Sequence, residues 1–454
     1  MIGGLLRNIR HTRLGRAISV GVYGQAIQMA FQFIGVPLMI SKWGVERYAV
    51  WIILSSVPSY LSIADLGLTQ AASNDMAASA AQGDRARAIS VFQALRLFVL
   101  LVFAGLFLPA LALIYTVGGK WLAFAQVATG GHAQLTMLML WSYALICLGN
   151  GSINAGLRTV DRYALGSAIF QTLFMFESLS QLAAVWLGAN AFQVAMLTLS
   201  IRIVATIVVN LVLRRHGGWL VSAPWQSSLG ELKRLVKPAL GSLAIPIANA
   251  TTLQGAILVL SSAAGAAAVP VFTVTRTLTR LPLQFSLILS VAALQRFTVA
   301  HSQSNERQKA VLALLALGVT LVMVIPASLL LVLIGPEIIR FWTRGAIHTP
   351  TLLVALLAGA MVLNACWNSL CSFLIAVNAH TGIALFYMVS ALVALGGAMG
   401  LAHLWQAQGV AMAGLALDAV MLIAVAATVR RARLLHFDMT RDLAMQFVQK
   451  LRRR

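Results

Sequence analysis

Residues 310–335 read AVLALLALGVTLVMVIPASLLLVLIG, 26 positions without one charged side chain. A helix of about 20 mostly apolar residues crosses the hydrocarbon core of a bilayer. A barrel strand would instead alternate apolar and polar over about 10 residues. The run is continuous and longer, so it reads as a transmembrane helix. Working outward in both directions, the same criterion picks out 17–40, 48–70, 89–115, 135–157, 163–188, 190–213, 238–261, 269–293, 351–376, 382–401 and 408–429. The expected fold class is an all-α integral membrane protein with about 12 transmembrane helices.

Composition agrees. Of 454 residues, 60% are apolar and 10% charged, against about 45–50% and about 25% in soluble domains. The mean hydropathy is +0.87. A soluble globular domain and a disordered chain are both excluded. Cys147, Cys366 and Cys371 all lie in apolar stretches and none forms a CxxC pair, so they read as packing residues rather than a disulfide framework or zinc site. Arg7, Arg10, Arg13 and Arg16 precede the first apolar run, which is too long for a signal-peptide core and has no small-residue cleavage site behind it. It reads as a retained first helix.

The basic residues supply the orientation. With the N-terminus inside, inner segments hold 24 Lys and Arg and outer segments hold 5, with Arg96, Arg202, Arg276 and Arg280 inside spans. That bias fits an N-in, C-in topology. The net charge of +21 then follows from topology and attraction to anionic inner-leaflet lipids, with no nucleic-acid partner required. Trp43, Tyr48, Trp51, Trp121, Trp186 and Trp405 fall near expected outer edges, as an aromatic belt would.

Loop 214–237, with Gly217, Gly218, Pro224 and five basic residues, reads as a cytoplasmic linker between bundles 1–213 and 238–429. Polar stretches 81–87 and 302–309 echo one another in the two halves, and two similar halves are a common transporter plan. Segment 430–454 places Leu443, Phe447 and Leu451 on one helical face amid basic residues, which suits the inner-leaflet surface.

A charge at mid-membrane costs about 2.5–3.5 kcal/mol even on the lenient insertion scale, so each needs a partner, a wet cavity or a task. Thr273, Arg276, Thr277, Arg280 and Gln284 recur at three- and four-residue steps, placing two guanidiniums on one helical face. The planar fork suits an anion, above all a phosphate. The competing reading is an ion-pair network with Asp418 or Glu177. Gln25, Gln28 and Gln32 share a face of the first span; Asn150 and Asn154, Asn249, and Asn364 and Asn368 add amides on others. Such amides bind sugar hydroxyls or bond helix to helix. Together with Arg202 these residues are the substrate-cavity candidates. Glu177 and Asp418 are deep enough to be coupling candidates, and Asp65 with Arg96 is the expected structural ion pair.

No G-x-x-x-x-G-K-[ST] motif, HExxH or GxSxG occurs, and the eight histidines have no metal-ligand spacing. No metal or other cofactor is implied. A membrane glycosyltransferase or polymerase would expose acids on large outer loops, where only Glu46 and Glu337 are found; the expectation is that the chain is not an enzyme.

The stretch Trp43-Gly44-Val45-Glu46-Arg47-Tyr48-Ala49-Val50-Trp51, followed by Ser55-Ser56-Val57-Pro58-Ser59-Tyr60-Leu61-Ser62-Ile63-Ala64-Asp65-Leu66-Gly67-Leu68, resembles the polysaccharide-exporting flippases. These share a superfamily with the MATE drug antiporters and the lipid II flippases. Ala49 stands where their hairpin has glycine, and Gly83-Asp84 before basic residues also fits. The resemblance implies a MATE-like, V-shaped pair of pseudo-symmetric six-helix bundles with alternating access. It implies a polyprenyl-diphosphate-linked oligosaccharide as cargo, moved outward across the bacterial inner membrane, with polymerase and glycosyltransferases of the pathway as partners. Arg276 and Arg280 would then hold the diphosphate and the amides would line the sugar path. The alternative is a MATE-like multidrug or cation antiporter, which calls for acidic and aromatic cavity groups.

Overall fold

The computed structural model describes residues 13–60, 68–116, 118, 122–224, 229–284, 306–377 and 379–432, and among them no strand occurs. Helix α1 is Arg13–Ser59, α2 Leu68–Ala81, α3 Arg85–Thr116, α4 Ala133–Thr159, α5 Tyr163–Trp186, α6 Ala191–His216 and the short α7 Gly218–Val221. Helix α8, Leu229–Ala250, passes through a single π-helical turn, Thr251–Gly255, into α9, Ala256–Ala263. Then follow α10 (268–284), α11 Glu306–Trp342, α12 Thr351–Ala376 and α13 Thr381–Arg431. Eight helices among the described residues are long and apolar enough to cross a membrane. The chain is a multi-pass membrane protein.

Outward-facing rows explain the composition. Leu100, Leu101, Leu108 and Leu113 on α3, and Val322, Leu329 and Leu333 on α11, are large apolar side chains left exposed by the protein itself. In water such rows would be an aggregation hazard; in lipid they are the natural solvent-facing surface.

The chain divides into two compact units, 1–246 and 247–454. The N-terminal unit packs Leu68, Met76, Leu95, Leu157, Leu213 and Leu220 into one core. The C-terminal unit is built on Trp367, Phe373, Leu374, Tyr387, Met421 and Val425.

Several expected boundaries shift. Spans 17–40 and 48–70 are joined in α1, which is broken only at Gly44 (φ 78°, ψ 168°). That backbone region is essentially restricted to glycine. Trp43 fixes the corner: its indole N–H donates to the Ala189 carbonyl at 2.7 Å and its ring meets Trp51 edge-on at 5.8 Å. Helix α1 is described to Ser59 and α2 from Leu68, and residues 61–67 of the expected span 48–70 lie outside the described residues. In the stretch 81–87, Asp84 Oδ1 accepts from the Arg87 amide at 3.0 Å and caps α3. Residues 302–305 of its echo, 302–309, and residues 433–454 of the tail, 430–454, lie outside the described residues. Gly188 and Asn190 separate α5 from α6, with Asn190 and Gln193 forming a reciprocal cap.

Candidate functional site

The C-terminal unit contains a cavity of about 390 Å³, within the size range of small-molecule sites. Helix α10 contributes Arg276 and Arg280, α8 Asn249, α12 Asn364 and Asn368, and α13 Tyr387 and Asp418. Six of the residues singled out from sequence thus line one space: Arg276, Arg280, Asn249, Asn364, Asn368 and Asp418.

Its polar groups are linked in a chain. Asn364 Nδ2 and Trp367 Nε1 both donate to Asp418 Oδ1, each at 2.8 Å. Asn368 Nδ2 donates to Asn364 Oδ1 at 2.9 Å and to its main-chain carbonyl at 3.0 Å. Residues 364, 367 and 368 share one face of α12 by helical spacing. Tyr387, whose ring lies 5.1 Å from Trp367, donates its hydroxyl to Asn249 Oδ1 at 3.2 Å. Arg276 Nη1 donates to the Leu253 carbonyl at 2.9 Å, and its guanidinium lies 5.1 Å over the Phe272 ring. With two guanidiniums and one carboxylate, formal charge in the cavity is positive. Trp367, Tyr387 and the π-turn at Leu253 escaped the sequence reading. Trp367 had a signal, since it sits on the Asn364 face.

The remaining α10 candidates are placed differently. Thr273 turns its hydroxyl back onto the Val269 carbonyl at 2.8 Å, and Thr277 onto that of Thr273 at 2.8 Å. Gln284 Oε1 is buried without a hydrogen-bond partner among the described residues.

In the N-terminal unit, Arg202 and Glu177 meet each other. Arg202 Nη2 lies 2.5 Å from Glu177 Oε2, with side-chain exposures of 9% and 6%. Tyr143 closes the triangle: its hydroxyl donates to Glu177 Oε1 at 2.6 Å and accepts from Arg202 Nη2 at 2.7 Å. Arg202, a cavity candidate from the sequence, has its charge matched by Glu177 within its own unit. Asn150 and Asn154, one turn apart on α4, each hold a buried Oδ1 without a partner among the described residues. Gln25 and Gln28 are exposed and Gln32 is half-buried. Arg96 lies 5.7 Å over the Phe92 ring of its own helix, while its expected partner Asp65 lies outside the described residues.

No family model matches the chain, and no curated relative does. Among solved structures, the chain is similar to an inward-facing multidrug resistance MATE family transporter of the MOP superfamily, with a TM-score of 0.69 and 16% identity over 91% of this chain and 98% of that one. A MATE structure in complex with MaD3S gives a TM-score of 0.65 and 17% identity over 92% and 95%. A MOP superfamily transporter from Pyrococcus furiosus Vc1, described as having a binding pocket of reverse polarity that suggests a different function, gives 0.63 and 15% over 92% and 94%. At these identities the likeness establishes the fold, which is MATE-like.

Proposed function

We propose that this chain is a secondary transporter working by alternating access, with the cavity of the C-terminal unit on the cargo path. One observation carries the reading: ionisable and amide side chains from α8, α10, α12 and α13 converge on a single space inside a bundle whose outer faces are apolar. A purely structural bundle has no need of charges so placed, given their cost in hydrocarbon. The fold of the transporter neighbours supports the same reading.

Two cargoes are in play. Multidrug or cation antiport has the better support from the comparisons, because the neighbours over more than nine-tenths of the chain are MATE transporters. Export of a polyprenyl-diphosphate-linked oligosaccharide across a bacterial inner membrane rests on the Trp43–Trp51 and Asp65-Leu66-Gly67 stretches and on the positive cavity. In that case the polymerase and glycosyltransferases of the same pathway would be its partners, and anionic lipids would hold its basic inner face. The Pyrococcus neighbour's description supports the idea that this fold tolerates pockets of either sign.

Reconstituted liposomes test both. One arm follows a labelled polyprenyl-diphosphate oligosaccharide between leaflets; the other follows ethidium efflux against a proton or sodium gradient. Movement of either cargo, lost in an Arg280→Gln, Asp418→Asn double variant, supports transport through this cavity. Movement of neither overturns the reading.

A further inference from the structure

Arg276 and Arg280 stand one turn apart on α10 and line the same cavity, yet the protein uses them differently. Arg276 is tied to the main chain through one of its donors. Its Nη1 holds the Leu253 carbonyl at 2.9 Å, and Phe272 lies beneath the guanidinium. Leu253 sits inside the π-turn Thr251–Gly255, where the shift from i+4 to i+5 bonding disturbs the regular pairing of main-chain carbonyls. Arg276 supplies a donor there and ties α10 to the turn. The turn and its flank in return form the cavity wall at Asn249, Thr252 and Leu253.

Arg280 is uncommitted: no hydrogen bond or ion pair joins it to any described residue. Asp418 is half committed. Its Oδ1 takes two neutral donors, while Oδ2 accepts no hydrogen bond from the described residues. The two line the same cavity but do not close to an ion pair within 4.0 Å among the described residues. A guanidinium offers five donors and a carboxylate about four acceptor sites. Each is partly withdrawn from solvent and gains from a partner of opposite charge. Among the described residues the cavity therefore presents a cation and an anion that each keep unused hydrogen-bonding capacity.

We propose that this cavity binds a compact zwitterion, an oxyanion joined by a short linker to an ammonium, with Arg280 taking the oxyanion and Asp418 the ammonium. Arg276 is a positioning residue that acts through the π-turn. Phosphoethanolamine carries this chemistry, either free or as a lipid headgroup. The site deepens the transport reading, since a bound zwitterion would lie on the cargo path, but its test reads binding alone and stands or falls without any transport measurement.

The experiment uses the full chain in detergent micelles and calorimetric titration with phosphoethanolamine, ethyl phosphate and ethylamine. Phosphoethanolamine is expected to bind at least about tenfold more tightly than either half-ligand. Arg280→Gln should reduce it to the level of ethylamine, and Asp418→Asn to that of ethyl phosphate. Should either fail to fold, Arg280→Lys and Asp418→Glu replace them, weakening binding while keeping the order of the three probes. Arg276→Gln should also keep that order, while hydrogen–deuterium exchange across 249–257 rises about tenfold. Dihexanoyl phosphatidylethanolamine distinguishes the sources: tighter binding than the free headgroup assigns a lipid-borne ligand, and equal binding a soluble one. Equal affinity for the three small probes, or binding of none, overturns the zwitterion site. Loss of binding in Arg276→Gln with exchange unchanged overturns the division of roles.

Discussion

At the residue scale the buried triangle of Tyr143, Glu177 and Arg202 sets a clear order of costs. Three helices, α4, α5 and α6, each give one corner. Removing one partner of a buried ion pair strands the other, at about 3–5 kcal/mol. Losing one hydrogen bond to a charged group costs about 1.5–3 kcal/mol. Arg202→Met is therefore expected to destabilise the protein more than Tyr143→Phe. The double variant Arg202→Met, Glu177→Met should recover much of the single loss, since no stranded charge remains. Unfolding titrations in mixed micelles check this. Equal losses for all three variants would mean that stranding a charge here costs no more than losing one hydrogen bond. Both ions were visible in the sequence as charges out of place. Their pairing was not, because it depends on the register of α5 against α6, which spacing along one helix cannot supply. Arg280 and Asp418 were likewise visible, and the three- and four-residue steps of α10 and α12 place Arg276 and Arg280, and Asn364 and Asn368, around the cavity that Asp418 of α13 also lines. The separate fate of Arg276 was hidden, because its partner is a main-chain carbonyl within an irregular turn.

At the element scale, long helices are interrupted in two ways. Gly44 breaks α1 with a conformation that other residues adopt at a cost of about 1–3 kcal/mol. A glycine between two tryptophan-bearing segments was a readable signal. In α13 the break falls on Trp405 and Gln406, and Gln406 has φ 48° and ψ −127° without being glycine. Three residues later Gly409 packs so closely that a Cβ would overlap the Leu401 carbonyl. The sequence showed a gap between apolar runs there but not its geometry, since neither Trp nor Gln marks a positive φ. Opposite signs are expected: Gln406→Gly should stabilise by about 1 kcal/mol through relief of strain, whereas Gly44→Ala and Gly409→Ala should destabilise. Melting temperatures in one detergent measure all three. A destabilised Gln406→Gly would show that the glutamine side chain earns its place by contacts that outweigh the strain.

At the scale of the whole molecule, the segment read as a linker is partly built into the N-terminal unit. Leu220, Leu232 and Leu235 are buried in the core that contains Leu68, Met76 and Leu95. Gln93 Nε2 donates to the Pro224 carbonyl at 2.7 Å, and Arg85 lies 5.4 Å over the Trp219 ring. Around these contacts runs a polar cluster: Asp75 accepts Arg234 and lies 3.3 Å from Arg87, and Arg234 also meets Glu231 at 2.8 Å. Composition showed glycine, proline and basic residues and hid the leucines that decide the docking. The two kinds of contact differ in weight. Ion pairs with side-chain exposures of 21–47% contribute about 0–1 kcal/mol, while truncating a buried leucine costs about 2–5 kcal/mol. Leu235→Ala should therefore loosen the segment far more than Asp75→Ala. Limited trypsin digestion reads this directly, since Arg214, Arg215, Lys233, Arg234 and Lys237 all lie within it. Cleavage should accelerate strongly in Leu235→Ala and only slightly in Asp75→Ala. The reverse order would mean that the charged cluster, rather than the apolar contact, fastens this segment to its unit.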